Sequence, residues 1–86
     1  MKLIYCPECH DLVRLFFEHR TCKCGESGGM YKENGLNAIL DGEAIPIGFD
    51  NFSFVDALKF RPKSGDRGKA FAAFVIPEKC KTVERI

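Results

Sequence analysis

Apolar positions along this chain fall in short runs separated by turn-forming residues, with no long amphipathic repeat. Leu3, Ile4 and Tyr5 are β-favouring residues that predict a short strand leading into Cys6. Leu12-Val13-Arg14-Leu15-Phe16-Phe17 follows, and if extended it alternates Leu12, Arg14 and Phe16 on one face with Val13, Leu15 and Phe17 on the other. A helix competes for so short an apolar run. A strand is preferred because a turn at Glu18-His19-Arg20 can then return the chain to Cys22. Glu26-Ser27-Gly28-Gly29 reads as a turn-rich, flexible joint. Its backbone N–H groups could in principle cradle an anion, but neither a P-loop lysine nor a helix follows. Leu36–Leu40 predicts a strand, Asp41-Gly42 a two-residue hairpin turn, and Glu43–Ile47 the returning strand. Pro46 lacks the N–H that a central strand donates, which places this strand at an edge where a partner could add its own.

The second half of the chain predicts one helix and one more strand. Ser53 is the expected N-cap, with Asp56 at the third helical position in a capping-box arrangement. Phe54, Ala57, Leu58 and Arg61, with Val55, form the helical stripe, and Pro62 ends the helix near Phe60 or Arg61. Phe49, Phe52, Phe54 and Phe60 could stack bases, but helical spacing beside a hairpin favours a shared core. Ala70 to Ile76 is apolar at every position, as in a strand buried on both faces at the centre of a sheet, with Ala72 and Ala73 packed against the helix.

Composition narrows the class. Eighty-six residues make one domain. An apolar share of 45% with ten aromatic residues can form only a thin core, which at this size a structural metal commonly supplements. Thirteen basic and twelve acidic residues give a formal charge of +1, unlike the one-sided basic surface of a strong nucleic-acid binder. No run approaches the roughly 18 apolar residues of a membrane span, and the stretch from Met1 to Cys6 is too short for a signal peptide. Five cysteines, an odd number, fit a reducing cytoplasm better than a disulfide framework.

The chemistry concentrates between Cys6 and Cys24. Cys6-Pro7-Glu8-Cys9 is followed, twelve residues on, by Cys22-Lys23-Cys24-Gly25. Two tight pairs of thiols at this separation suit one tetrahedral zinc ion with bonds of about 2.3 Å, and iron is the alternative metal. Pro7 presets the turn of the first pair, and the single residue between Cys22 and Cys24 tightens the second. With four thiolates the shell is full, so the metal is structural, and His10 and His19 are expected at the surface or behind the ligands. Cys80 is expected to be a passive thiol, since no base or orienting group accompanies it. Residues 3 to 25 resemble a zinc ribbon. With its Gly-rich, Ile-Pro-Ile-Gly-Phe and Phe-Val-Ile-Pro segments, the whole chain also looks like short zinc-ribbon proteins of bacteria and their phages. The expected architecture is α+β: a zinc ribbon over residues 1–27 fused to a β-β-α-β part over residues 28–86, in one domain.

No nucleophile–base set, carboxylate pair or open metal position is recognisable, so no enzymatic activity is expected. The balanced charge, the closed metal site and the edge strand point to a protein-binding module, and the origin that the resemblance implies makes it of the kind by which a phage or mobile element engages a host protein. The alternative is a binder of nucleic acid or a nucleotide. Arg14, Arg20 and Lys23 on the ribbon, with Arg61, Lys63, Arg67 and Lys69 in the polar loop beside Lys59, would then supply phosphate contacts.

Overall fold

Leu3 and Ile4 do form a strand, and it lies inside one of two four-stranded sheets. The computed structural model describes residues 1–86 as β1 (Lys2–Tyr5), β2 (Leu12–Arg14), β3 (Arg20–Thr21), β4 (Ser27–Tyr31), β5 (Ala38–Gly42), β6 (Ile45–Phe49), α1 (Asn51–Lys59), β7 (Ala73–Val75) and β8 (Val83–Arg85). The first sheet has the order β2-β1-β6-β7 and is antiparallel throughout. The second has the order β3-β4-β5-β8, with only β5 and β8 parallel. This is a mixed α+β fold that is mostly β. Each sheet takes strands from both sides of residue 27.

Ile4, Leu15, Ala38, Leu40 and Ala44 form the core, with Val13, Tyr31 and Val83 packed against it. The Lys2 amide donates to the Tyr31 hydroxyl at 2.6 Å, tying β1 to β4 across the two sheets. The core is as thin as the composition implies. Ten hydrophobic residues are buried, and two of these are Cys6 and Cys22.

Several expectations from the sequence give way to tertiary context. β2 is shorter than predicted: Leu15 turns into the core while Phe16 and Phe17 stay exposed. The supposed joint Glu26–Gly29 is largely strand, because β4 is paired on both sides, by β3 and β5. A Cβ on Gly28 would stand 2.7 Å from both the His19 and Asp41 side chains, so the glycine gives those two groups room to meet. Part of the predicted turn, Arg20, belongs to β3. Asp41-Gly42 makes no hairpin, since β5 and β6 belong to different sheets. Gly42 (φ +64°) instead turns a corner between sheets, against the Glu26 carbonyl that accepts from the Glu43 amide at 2.9 Å. Arg85 donates to the carbonyls of Gly42 and Ala44 and clamps that corner.

Pro46 does not mark an edge, for β6 lies between β1 and β7. Its carbonyl accepts from the Ile76 amide at 2.9 Å. The missing N–H faces the same side, so the Pro46–Ile76 pair at the end of the β6–β7 ladder keeps one of the two hydrogen bonds such a pair exchanges. Ser53 is not the N-cap. Asp50 takes that place in extended conformation (φ −72°, ψ 106°) without a side-chain cap. The Ser53 hydroxyl donates to the Asp50 carbonyl and accepts from the Ala72 amide, so it ties the first helical turn to the approach to β7. Ala70–Ile76 is not a buried central strand either. β7 is an edge strand exposed at all three residues, and only Ile76 beyond it is buried. Phe49, Phe54 and Phe71 stack with centroids 4.9–5.4 Å apart, whereas Phe52 and Phe60 face solvent. β8 has no counterpart in the sequence reading; its β-branched Thr82-Val83 start was the available signal.

Candidate metal centre

The two cysteine pairs sit at the ends of strands, each in a tight backbone turn. After β1, the Cys6 carbonyl accepts from the His10 amide at 2.8 Å, and the Cys6 amide donates to the Asp11 carbonyl at 3.0 Å. After β3, the Cys22 carbonyl accepts from the Gly25 amide at 3.2 Å, and the Cys22 amide donates to the Ser27 carbonyl at 2.9 Å. In both turns the residue just after the second cysteine has positive φ, 62° at His10 and 80° at Gly25. The turns are therefore built alike despite their different spacing. Asp11 braces one against the other, as its Oδ2 accepts from the Lys23 amide at 3.1 Å.

This scaffold brings the four sulfurs of Cys6, Cys9, Cys22 and Cys24 within 4.8 Å of one another. Cys24 Sγ stands 3.7 Å from Cys6 Sγ and 3.5 Å from Cys22 Sγ. A tetrahedron with bonds of about 2.3 Å has edges of about 3.8 Å, so the cluster is already the size of a metal shell. Cys6 and Cys22 are buried, Cys9 is half-buried and Cys24 is exposed, which leaves one open side.

The electrostatics fit a cation at the centre. Burial would push the Cys22 thiol up, but the Ser27 backbone amide and the neighbouring thiols outweigh it and bring it down to about 6. For Cys24 the Glu26 backbone amide pulls downward, but burial and the three surrounding sulfurs prevail and push it up to about 12. Thiols packed this closely cannot all ionise alone, because each new charge is repelled by the last. A divalent cation removes that repulsion and lets all four bind as thiolates. A buried hydroxyl points to the same charge: Ser27 Oγ makes no hydrogen bond, yet the Ser27 side chain is the leading cause holding the Cys6 thiol below its ordinary range. A hydroxyl that donates only once the sulfur is charged satisfies both observations, since thiolates are the better acceptors.

No histidine or carboxylate joins the cluster. His10 Nδ1 is hydrogen-bonded to the Tyr5 hydroxyl, and His19 Nε2 pairs with Asp41 Oδ2 at 2.6 Å on the second sheet. Cys80 stands apart, half-buried, with its sulfur 3.3 Å from the Thr82 hydroxyl, which together with the Thr82 backbone draws the thiol down. Arg61, Lys63, Arg67 and Lys69 are all exposed and take part in no ion pair or side-chain hydrogen bond, and no cavity is lined by them. Arg14 and Arg20 lie on β2 and β3, where Arg20 donates to the Arg14 carbonyl and stacks over Phe16. Sequence reasoning found the four thiols but missed Asp11 and Ser27, neither of which stands in a recognisable motif. No helix is long and apolar enough to cross a membrane.

Comparison with protein-family models, curated proteins and solved structures finds no match to this chain, so nothing there supports the resemblance to bacterial and phage proteins. Four cysteines positioned to bind one metal ion are what the structure establishes.

Proposed function

We propose that this chain is a zinc-ribbon-type binding module, held together by one structural zinc ion, that acts through protein–protein contact and catalyses no reaction. The observation that carries the proposal is the complete set of four thiol ligands at tetrahedral spacing. Zinc takes such shells without geometric preference, and a catalytic zinc would keep one position for water. The zinc-ribbon likeness of residues 3–25 is supported by the two similar turns and the short strands that lead into them. Protein contact is supported by where the apolar surface lies. Seven of the twelve exposed large hydrophobic residues fall between Phe52 and Val75, on α1 and β7 and in the segment joining them.

The test is elemental analysis of purified protein, together with affinity capture from a bacterial lysate before and after nuclease. One zinc per chain and a protein partner that survives nuclease are expected. A metal-free folded protein, iron in place of zinc, or recovery of nucleic acid alone would each refute a named part of the proposal.

Binding of nucleic acid is the second reading, favoured by the unpaired cations of Arg61–Lys69 beside the exposed Phe60. Each neutralised phosphate on duplex DNA contributes a slope of about −0.9 in log affinity against log salt. Four cations and a net charge of +1 therefore support only weak generic binding at physiological ionic strength. Sub-micromolar binding there, lost when Lys63, Arg67 and Lys69 become alanine, would put this reading first.

A further inference from the structure

The open edge of the first sheet is short, three residues, but carries none of the other usual protections. Natural edge strands are blunted by lysine, proline, bulges or a covering element. β7 and its flanks, Ala70 to Ile76, hold no charge and no proline, and no strand lies beyond β7. Which backbone groups are free follows from the bonds to β6. The Ala72 carbonyl accepts from the Asp50 amide and the Ile76 amide donates to the Pro46 carbonyl, so residues 72, 74 and 76 turn their polar groups inward. Ala73 and Val75 therefore turn their N–H and C=O groups outward.

We propose that this edge pairs with the β7 of a second copy of the same chain, antiparallel, about a two-fold axis through Phe74. The proposal names a partner for the protein-contact reading above and rests on it. In that register Ala73 of each copy faces Val75 of the other, and each pair exchanges both N–H···O=C bonds, four in all. The side chains suit the same axis. Val75, 67% exposed, lies opposite the small Ala73 on one face. On the other face the two Phe74 backbones meet at the closer non-hydrogen-bonded spacing, and each ring, 54% exposed, lies back over Gly48 of its own chain, where a Cβ would approach within 2.4 Å, which leaves the seam clear. An uncharged strand is self-complementary in a way a charged one is not, since a two-fold axis sets like charges near one another. A charged or heterologous partner has no matching charge on this edge to recognise.

The test is sedimentation equilibrium of the zinc-loaded full chain, from low micromolar to several hundred micromolar, with two edge variants. Ala73→Pro removes one outward donor and leaves the bonds to β6 in place. Val75→Lys sets a charge near its own symmetry copy. A concentration-dependent dimer is expected for the native chain. Both variants should be monomeric over the same range while keeping one zinc per chain and the native circular dichroism spectrum. A monomeric native chain, or a dimer that persists in both folded variants, would overturn the proposal. If either variant fails to hold zinc, protection of the Ala73 and Val75 amides from hydrogen exchange, compared at low and high concentration in the native chain, decides instead. Protection that does not change with dimer population refutes the pairing. A zinc-loaded monomer that still captures a protein partner defeats the dimer alone, whereas a dimer without zinc defeats the zinc-module reading alone.

Discussion

A cysteine sulfur binds metal only as the thiolate, so each thiol still protonated in the free site must release its proton when the cation enters. Cys24, pushed up to about 12, does so at any ordinary pH. Cys22, at about 6, is already ionised at neutral pH but holds a proton below that point. Metal affinity should therefore fall as pH falls, and fall more steeply below about pH 6, where Cys22 adds its own proton to those displaced. Competition with a chromophoric chelator between pH 5 and 8 measures this; affinity flat across that range would contradict the ligand set. Ser27→Ala should keep one metal per chain but weaken it by about 10–100-fold, the usual effect of losing a group behind the ligands. The same competition reads it, with the Co(II) spectrum reporting that the four sulfurs remain. Cys22→Ser should lose the metal, while Cys80→Ala should keep it, because the Cys80 sulfur lies outside the cluster. Elemental analysis of the two variants checks both. The site was legible in the sequence because the ligands lie in two short segments whose spacing alone brings them together. Ser27 was not legible, because its role depends on a strand pairing that no local pattern announces.

At the scale of elements, the sequence was least informative where one local signal serves two geometries. Asp41-Gly42 carries the residue types of a hairpin, but the same positive φ serves a corner between sheets, and the pairing of Ser27 with Gly42 decides which. The uninterrupted apolar run Ala70–Ile76 looks the same whether its faces meet a core or remain open. β1, β2, β5, β6 and β7, the helix and its end near Phe60 fall in segments read correctly because periodicity and propensity act locally; β3, β4, β8 and the sheet order were not recovered. Gly42 gives this a measurable form. A Cβ there would stand 1.9 Å from the Glu26 carbonyl oxygen in a backbone conformation that side chains disfavour. Gly42→Ala should destabilise the fold by more than the about 1 kcal/mol typical of a point mutation. Urea denaturation of the zinc-loaded protein gives the value, and a loss within about 0.5 kcal/mol would show that the corner is not needed.

For the whole molecule, two features set the balance. Few large side chains are fully buried, and the four-cysteine site joins the ends of β1 and β3, one from each sheet. Structural zinc in small sites contributes about 10–16 kcal/mol of apparent free energy, as much as or more than the about 5–15 kcal/mol that holds a typical domain. Chelation should therefore cost the fold its cooperative thermal transition, and returning zinc should restore it; calorimetry with and without chelator compares the two. β1 is joined on one side to β2, about ten residues away in the chain, and on the other to β6, where Leu3 meets Ile47. β5 meets β8 across a similar span, with Ala38 opposite Val83. The cysteine turns and β1–β2 can thus form early from nearby residues, whereas both sheets wait for chain ends to find each other over some forty-five residues. A bound metal would act as a kinetic scaffold: it would fix the near half early, and the pace of refolding would be set by the two distant pairings, β1 with β6 and β5 with β8.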